Sequence, residues 1–319
     1  MKINVPLRSL LVVLGLVFLT PLVSAQTTDL SAATTSQTVS YAVGEGPEAV
    51  AFDGTNVWVA NQFSNTVVKM QVSDGAVLGT YSAGKRPVAL VFDGANVWVA
   101  NYLSDNVTKL RASTGSILGT YATGAGPGGL TFDGQNIWVA NRNSNSVTKL
   151  RASDGLKLGS FAVGTRPLAL AFDGANIWVT NNKSNTVTAL QASDGIVLGT
   201  YAVGKGPFGI AFDGASIWVA NFFSQNLMQL GINGSVINKV AVGDGPAGVT
   251  FAGGYLWVAN NGSNTVSKLE PGAGMVVATF TVGRGPFGVV FDGANIWAAS
   301  TGTGTVSKIS PPNKLSAVP

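Results

Sequence analysis

The chain has 319 residues, a net charge of +4, and neither cysteine nor histidine. These absences exclude a thiolate nucleophile, a Ser-His-Asp triad, disulfides and the usual zinc, copper and haem sites. Without Lys2 and Arg8 in the N-terminal segment the net charge of +4 falls to about +2, which predicts that the protein does not bind nucleic acid.

The N-terminus has the three parts of a secretory signal peptide. Positive charge at Lys2 and Arg8 precedes an apolar core at 10–19, and Val23-Ser24-Ala25 forms a cleavage site of small residues. The apolar core is shorter than the about 20 residues that span a membrane. We therefore predict a signal peptide over residues 1–25, export of the mature protein, and no membrane span after cleavage.

The rest of the chain repeats one unit that contains a single tryptophan. The spacings between successive tryptophans are 40, 40, 40, 40, 39 and 40 residues. Seven copies at this period indicate a repeat architecture. The tryptophans are Trp58, Trp98, Trp138, Trp178, Trp218, Trp257 and Trp297.

Each unit contains four short segments that are typical of β-strands, here called A to D. In the unit 87–124 they are 88–92, 96–100, 107–111 and 116–121. Asp93-Gly94 joins A to B as a hairpin turn, and no segment shows a helical period. Four strands and one aromatic motif per unit are typical of a propeller blade. The predicted fold is all-β, a seven-bladed β-propeller with four antiparallel strands per blade.

The two ends of the repeat region complement each other. The seventh unit lacks a D strand, whereas residues 38–44, before the first unit, match the D strand at 198–204. We predict that the N-terminal strand completes the last blade and closes the ring. The predicted boundaries are a flexible lead-in at 26–36, the propeller at 37–310 and a C-terminal tail at 311–319.

The repeated motifs resemble the YVTN family of β-propeller repeats. Trp178-Val179-Thr180-Asn181 and Ser184-Asn185-Thr186-Val187 carry the likeness, together with a recurring Gly-x-Gly-Pro-x-Gly. The resemblance implies a propeller that is exported or surface-associated, and it implies no particular activity. Related propellers include the streptogramin (virginiamycin B) lyases, and a resemblance to these would imply a catalytic histidine and a magnesium ion. The absence of histidine in this chain excludes the assignment as such a lyase.

Two sets of repeated charged residues are interpreted as structural. An aspartate occupies the A–B turn in six units, but Ala252-Gly253-Gly254 replaces it in the sixth, so we interpret it as a turn residue. A lysine recurs on strand C and is interpreted as a solvated edge residue whose stem packs on the sheet. The lysines are Lys69, Lys109, Lys149, Lys268 and Lys308.

One face of the predicted disc varies between units. The A–B and C–D turns are nearly constant, whereas the D–A connections and B–C loops differ and carry basic and aromatic residues, which are typical of interfaces. The leading hypothesis is a non-enzymatic, monomeric binding protein whose variable face contacts a protein or glycan partner. The candidate binding residues are Phe63, Lys85, Arg86, Tyr102, Arg142, Arg166, Lys183, Lys205, Phe208, Phe222, Phe223 and Arg284.

Two alternatives remain open. The first is a hydrolase or lyase acting at the mouth of the central channel, with Glu45, Glu48 or Asp244 as base and a divalent cation as an optional cofactor. The second is a purely structural component of the envelope or surface. Under the leading hypothesis we expect no catalytic residue, no cofactor and no bound metal.

Overall fold

The computed structural model describes residues 37–311, which form seven four-stranded antiparallel sheets. This confirms the predicted all-β, seven-bladed propeller. The predicted signal peptide and lead-in, and the predicted tail beyond Pro311, lie outside the described residues and stay predictions. Residues 37–311 contain no helix with the length and hydropathy needed to cross a membrane.

The strands are numbered in chain order, beginning with β1 (Gln37–Ala42). The strands of blades 1 to 3, in the order A to D, are β2 (Pro47–Phe52), β3 (Asn56–Asn61), β4 (Thr66–Gln71), β5 (Val77–Ser82), β6 (Pro87–Phe92), β7 (Asn96–Asn101), β8 (Asn106–Arg111), β9 (Ile117–Ala122), β10 (Pro127–Phe132), β11 (Asn136–Asn141), β12 (Ser146–Arg151) and β13 (Lys157–Ala162).

The remaining blades follow in the same order. Their strands are β14 (Pro167–Phe172), β15 (Asn176–Asn181), β16 (Thr186–Gln191), β17 (Val197–Ala202), β18 (Pro207–Phe212), β19 (Ser216–Asn221), β20 (Asn226–Gly231), β21 (Val236–Ala241), β22 (Pro246–Ala252), β23 (Tyr255–Asn260), β24 (Thr265–Glu270), β25 (Met275–Thr281), β26 (Pro286–Phe291), β27 (Ile296–Ser300) and β28 (Thr305–Ser310).

The ring is closed by the N-terminal strand, as the sequence predicts. Blade 7 has the strand order β26-β27-β28-β1, and β1 pairs antiparallel with β28 from Gln37 opposite Ser310 to Ala42 opposite Thr305. Strand A of each blade contacts strand A of both neighbours, including β26 of blade 7 against β2 of blade 1. The closed ring therefore protects the edge of β28 that would otherwise be unpaired.

The tryptophans fill the space between neighbouring blades. Trp98 of blade 2 is fully buried and shares one apolar core with Ile137, Val139 and Leu150 of blade 3. Strand B, such as β7, is buried along nearly its whole length because adjacent blades cover both of its faces. Strand D, such as β9, forms the outer rim and is largely exposed. This difference explains the continuous apolar run in strand B.

The aspartate of the A–B turn is a structural residue, and its role extends to the core. The Asp93 carboxylate accepts hydrogen bonds from the backbone N–H groups of Ala95 and Asn96 at 2.9 and 2.7 Å. Its second oxygen accepts the Nε1–H of Trp98 at 2.8 Å. In blade 6 the Trp257 Nε1–H instead donates to the Ala252 carbonyl at 3.3 Å.

The repeated lysine on strand C is buried in blades 1 to 3 and partly buried in blades 6 and 7, so its interpretation as a solvated edge residue is wrong. Lys109 is 6% exposed, and its Nζ donates to the Ala152 carbonyl of the next blade at 2.7 Å. The Nζ also lies 5.1 Å from the centre of the Trp98 ring. The C–D turn of the next blade buries this lysine. The sequence of a single blade does not predict this burial, because the covering residues belong to its neighbour. The same tie to the next blade is made by Lys69, Lys149 and Lys308.

Candidate functional site

The variable face is built on a rigid backbone frame. In blade 2 the N–H groups of Tyr102 and Leu103 donate to the carbonyls of Arg86 and Lys85 at 2.9 and 3.1 Å, and equivalent pairs recur around the ring. The Ser104 hydroxyl accepts the N–H of Lys85 at 2.7 Å. These bonds hold each B–C loop against its own D–A connection, so both lie on one face, as predicted.

The Ser-Asn-Thr-Val motif also joins neighbouring blades. Asn65 of blade 1 has a left-handed φ of 57°, and its Oδ1 accepts the N–H of Arg86 in blade 2 at 2.8 Å. Asparagine tolerates this conformation better than most residues. The loops of the variable face are therefore anchored within a blade and between blades, and their side chains differ on a common frame.

At the centre of the ring, strand A of all seven blades lines a cavity of about 230 Å³. The second residue of strand A varies among the blades. These residues are Glu48, Val88, Gly128, Leu168, Phe208, Ala247 and Phe287. Six of these seven residues line the cavity. In blade 6 the lining residue is Gly248 instead of Ala247. The cavity walls therefore differ in chemistry from one side of the ring to the other.

One side of the cavity holds a buried ion pair. The Arg142 Nη2 lies 3.7 Å from the Glu48 Oε1, and each side chain is 11% exposed. Arg142 can occupy this position because residue 128 is glycine. A Cβ at Gly128 would collide with the Arg142 side chain. Burial raises the pKa of Glu48 despite the opposing charges of Arg142 and Arg86. Burial likewise lowers the pKa of Arg142, although Glu48 opposes this shift.

A second arginine joins this charged side. The Arg86 Nε donates to the Gln62 Oε1 at 3.1 Å, and Gln62 is 6% exposed. The guanidinium carbons of Arg86 and Arg142 lie 5.0 and 5.4 Å from the centre of the Tyr102 ring. The aromatic ring therefore lies between two cations, and three blades contribute to the cluster.

Two arginines of this face adopt a conformation that glycine occupies elsewhere. The residue before the proline of strand A has a positive φ, of 56° at Arg86 and 59° at Arg166. The other five blades carry glycine there, at Gly46, Gly126, Gly206, Gly245 and Gly285. A left-handed backbone costs a bulky residue free energy, and such outliers cluster at functional sites.

The opposite side of the cavity is aromatic. The ring centre of Phe208 lies 5.6 Å from that of Phe287 and 6.0 Å from that of Phe222. Phe222 in turn makes an edge-on contact with Phe223 at 5.2 Å. Phe223 is 70% exposed, so this aromatic cluster extends from the cavity to the outer surface of the face.

The predicted site residues divide into two groups. Arg86, Tyr102 and Arg142 form the charged side, and Phe208, Phe222 and Phe223 form the aromatic side. The others are exposed residues of the surrounding loops; among them, the Lys205 carbonyl accepts the N–H of Phe223 at 3.1 Å and the charge of Arg166 acts on Arg142. These loop residues are Phe63, Lys85, Arg166, Lys183, Lys205 and Arg284.

The predicted binding residues omit three residues of the cavity region, Phe287, Gln62 and Glu48, of which Glu48 was a candidate base in the enzymatic alternative. Glu48 and Phe287 occupy the same strand A position as Phe208, and comparing that position among the repeats is a signal that could have found them. Gln62 carries no such signal, because its contact with Arg86 crosses between blades.

The acids of the enzymatic alternative are not gathered together. Glu48 lines the cavity, whereas Glu45 and Asp244 are exposed and absent from its lining. Within residues 37–311, no group of three His, Cys, Asp or Glu side chains is placed to hold a metal ion. In the described part of the chain, the charged side therefore combines one acid, Glu48, with two arginines, Arg142 and Arg86.

No protein-family model matches the chain, and no curated protein matches it. The resemblance to YVTN repeats thus stays a prediction. Among solved structures, the chain shares the propeller class of virginiamycin B lyase from Staphylococcus aureus, with a TM-score of 0.75 and 18% identity over 86% of this chain and 99% of that one.

Two further structures show the same likeness. A streptogramin B lyase has a TM-score of 0.76 and 17% identity over 88% of this chain and 99% of that one. Hydrazine synthase from Kuenenia stuttgartiensis has a TM-score of 0.75 and 19% identity over 83% of this chain and 96% of that one. At these identities the likeness shows the fold alone.

Proposed function

We propose that the mature chain is an exported, non-enzymatic binding protein that holds a protein partner on its variable face. The observation that carries the proposal is the pair of left-handed arginines, Arg86 and Arg166, at positions where the other blades have glycine. Glycine would satisfy the backbone there at lower cost, so the side chains themselves account for the choice.

The chemistry of the face supports a partner with acidic and apolar groups. Its loops and the adjoining cavity carry seven basic side chains, and the acids Glu45, Glu48, Asp105 and Asp244 are fewer. Phe63, Leu103 and Phe223 are 59%, 61% and 70% exposed. Exposed aromatic residues beside arginine are typical of the buried centre of a protein interface. These apolar tips favour a protein over a glycan.

Site-specific photo-crosslinking tests this proposal. A photo-crosslinking amino acid at position 223 should form protein adducts with the extracytoplasmic fraction of the producing cells. The same group at Leu156, which is 52% exposed beside a C–D turn on the opposite face, is the matched control. We expect protein adducts at position 223 and none at position 156. Glycan adducts at position 223 would show that the partner is a glycan and not a protein.

The double substitution Arg86→Gly and Arg166→Gly sharpens the same experiment. Both backbones are already left-handed, so glycine relieves backbone strain, while Arg86→Gly also removes the hydrogen bond to Gln62; we expect the free energy of unfolding to change by less than about 2 kcal/mol. Adduct yield at position 223 should fall about tenfold, as for loss of interface arginines. Full adduct yield from the folded double variant would contradict the proposal.

One observation favours the enzymatic alternative. Glu48 is a buried carboxyl with a raised pKa at the mouth of the channel, and such groups are frequent at active sites. Structural neighbours of this chain include lyases. Against it, Glu48 is paired with Arg142 and has no second acid beside it in the cavity lining. A lyase or hydrolase activity that Glu48→Gln abolishes would favour this alternative.

A further inference from the structure

The central cavity combines a cationic wall with an aromatic wall in one small volume. Arg142 and Glu48 lie on one side, and Phe208 and Phe287 lie on the other. A volume of about 230 Å³ corresponds to about eight water molecules at liquid density. That room fits a single ring with a short polar head.

Positive charge is in excess on the cationic wall. The charge of Arg86 acts on both Glu48 and Arg142, and the charge of Arg166 acts on Arg142. Two guanidinium groups, those of Arg142 and Arg86, thus act on the single carboxylate of Glu48. The excess of positive charge favours an anionic group at this wall.

The guanidinium of Arg142 is also incompletely bonded. Its Nε is buried and makes no hydrogen bond within the described part of the chain. Its Nη2 donates a long hydrogen bond to the Gly128 carbonyl at 3.4 Å and lies 3.7 Å from Glu48 Oε1, beyond the 2.7–2.9 Å typical of a charge-assisted hydrogen bond. A buried polar group without a partner is costly and calls for an acceptor. A ligand carboxylate supplies such an acceptor.

The aromatic wall selects the rest of the ligand. Phe208 is in contact with both Phe287 and Phe222, so the wall continues from the cavity to the loops. Rings of this kind pack against apolar or aromatic groups with offset or edge-on geometry. The wall therefore favours a flat apolar body of about one ring.

We propose that the cavity binds a small carboxylic acid with an aromatic or similarly apolar body. The carboxylate lies at Arg142, and the apolar body packs against the wall that Phe208 and Phe287 form together. This inference rests on the proposed binding role of the variable face, and it adds a separate site for a small ligand at the centre of that face.

Fluorine NMR of the mature chain with 4-fluorophenylacetate tests the site. We expect the fluorine signal to broaden when the protein is added, and unlabelled phenylacetate to reverse the broadening by competing for the site. The neutral analogue 4-fluorobenzyl alcohol should bind about tenfold more weakly because it lacks the charge that pairs with arginine. Equal binding of acid and alcohol, or no binding of either, would overturn the inference.

Matched variants locate the bound acid. Arg142→Met should weaken binding about tenfold, and Phe287→Leu should weaken it severalfold while preserving the charge. Arg151→Met is the control, because Arg151 is exposed at a C–D turn and pairs with Asp154. Unchanged binding by folded Arg142→Met would overturn the inference, and if that variant misfolds, unchanged binding by Phe287→Leu would do so.

The two proposals fail separately. If 4-fluorophenylacetate does not bind while protein adducts form at position 223, the cavity inference falls and the partner-binding role stands. If the acid binds and no adducts form, the cavity is a small-ligand site and the protein-partner proposal falls.

Discussion

At the scale of single residues, the A–B turn aspartate links turn geometry to the core. Asp93 accepts the indole N–H of Trp98 and two backbone N–H groups with one carboxylate. Burial by itself would raise the pKa of Asp93, but these hydrogen bonds together hold it below its usual value. The pKa values of Asp133, Asp173 and Asp292 are lowered for the same reasons.

These pKa shifts predict a loss of stability in acid. A carboxyl with a lowered pKa in the folded state stabilises the fold above its unfolded pKa of about 3.9, and that contribution is lost as the pH falls through the folded pKa. We expect Asp93→Asn to lower the free energy of unfolding by about 1–3 kcal/mol at pH 6, and by less near pH 2. Urea denaturation at both pH values measures the difference.

The control for this prediction is Asp74→Asn. Asp74 is an exposed aspartate of a C–D turn, and its carboxylate accepts the backbone N–H of Ala76 at 3.0 Å. It contacts no indole that the structure shows. We expect a smaller change at pH 6, and equal losses from both substitutions would show that the contact with Trp98 contributes little.

The strand C lysine makes a second residue-scale prediction. Lys109→Met keeps much of the apolar stem but leaves the Ala152 carbonyl without its donor. We expect the free energy of unfolding to fall by about 1–3 kcal/mol, the cost of an unsatisfied buried polar group. The exposed Lys183→Met should change it by less than about 0.5 kcal/mol. Equal urea midpoints for the two variants would argue against the inter-blade tie.

At the scale of elements, neighbouring blades approach closely where glycine and an aromatic ring meet. Gly115 of the blade 2 C–D turn has a φ of 74°, and a Cβ there would collide with the ring of Tyr81 in blade 1. The ring of Tyr81 lies 5.5 Å from that of Trp58 in its own blade. The invariant glycine of this turn therefore serves both the left-handed turn and the packing between blades.

The strand β1 has a role that other outer strands lack. It connects the start of the propeller to β28, and Tyr41 stacks on Trp297 with ring centres 5.8 Å apart. Deletion of residues 26–44 should therefore expose β28 and part of the blade 7 core. We expect the melting temperature to fall by at least about 10 °C, since 2–4 °C corresponds to 1 kcal/mol at this size.

Deletion of residues 26–36 alone is the matched control for β1. This shorter deletion ends before β1 begins and should leave the melting temperature within about 2 °C. Scanning calorimetry of both truncated chains makes the comparison. A shorter deletion that destabilises as much as the longer one would locate the effect outside the strand.

At the scale of the whole molecule, the ring separates structural and variable positions. Contacts between blades, such as Lys308 of blade 7 donating to the Val72 carbonyl of blade 1 at 2.6 Å, are repeated around the ring. The loops on the variable face share backbone bonds but differ in side chains. The repetition builds the scaffold, and its exceptions create a cavity with a charged wall and an aromatic wall.

The amino-acid sequence by itself determined the blade, the number of blades and the closing strand. Local turn signals, one tryptophan per unit and complementary ends are properties of the chain that need no knowledge of packing. The tertiary structure decided the burial of Lys109, the approach of Arg142 to Glu48 over Gly128, and the contact of Phe208 with Phe287. These contacts join different blades, and their geometry exists only after the ring has closed, because residues far apart in the chain then meet at the axis and between sheets.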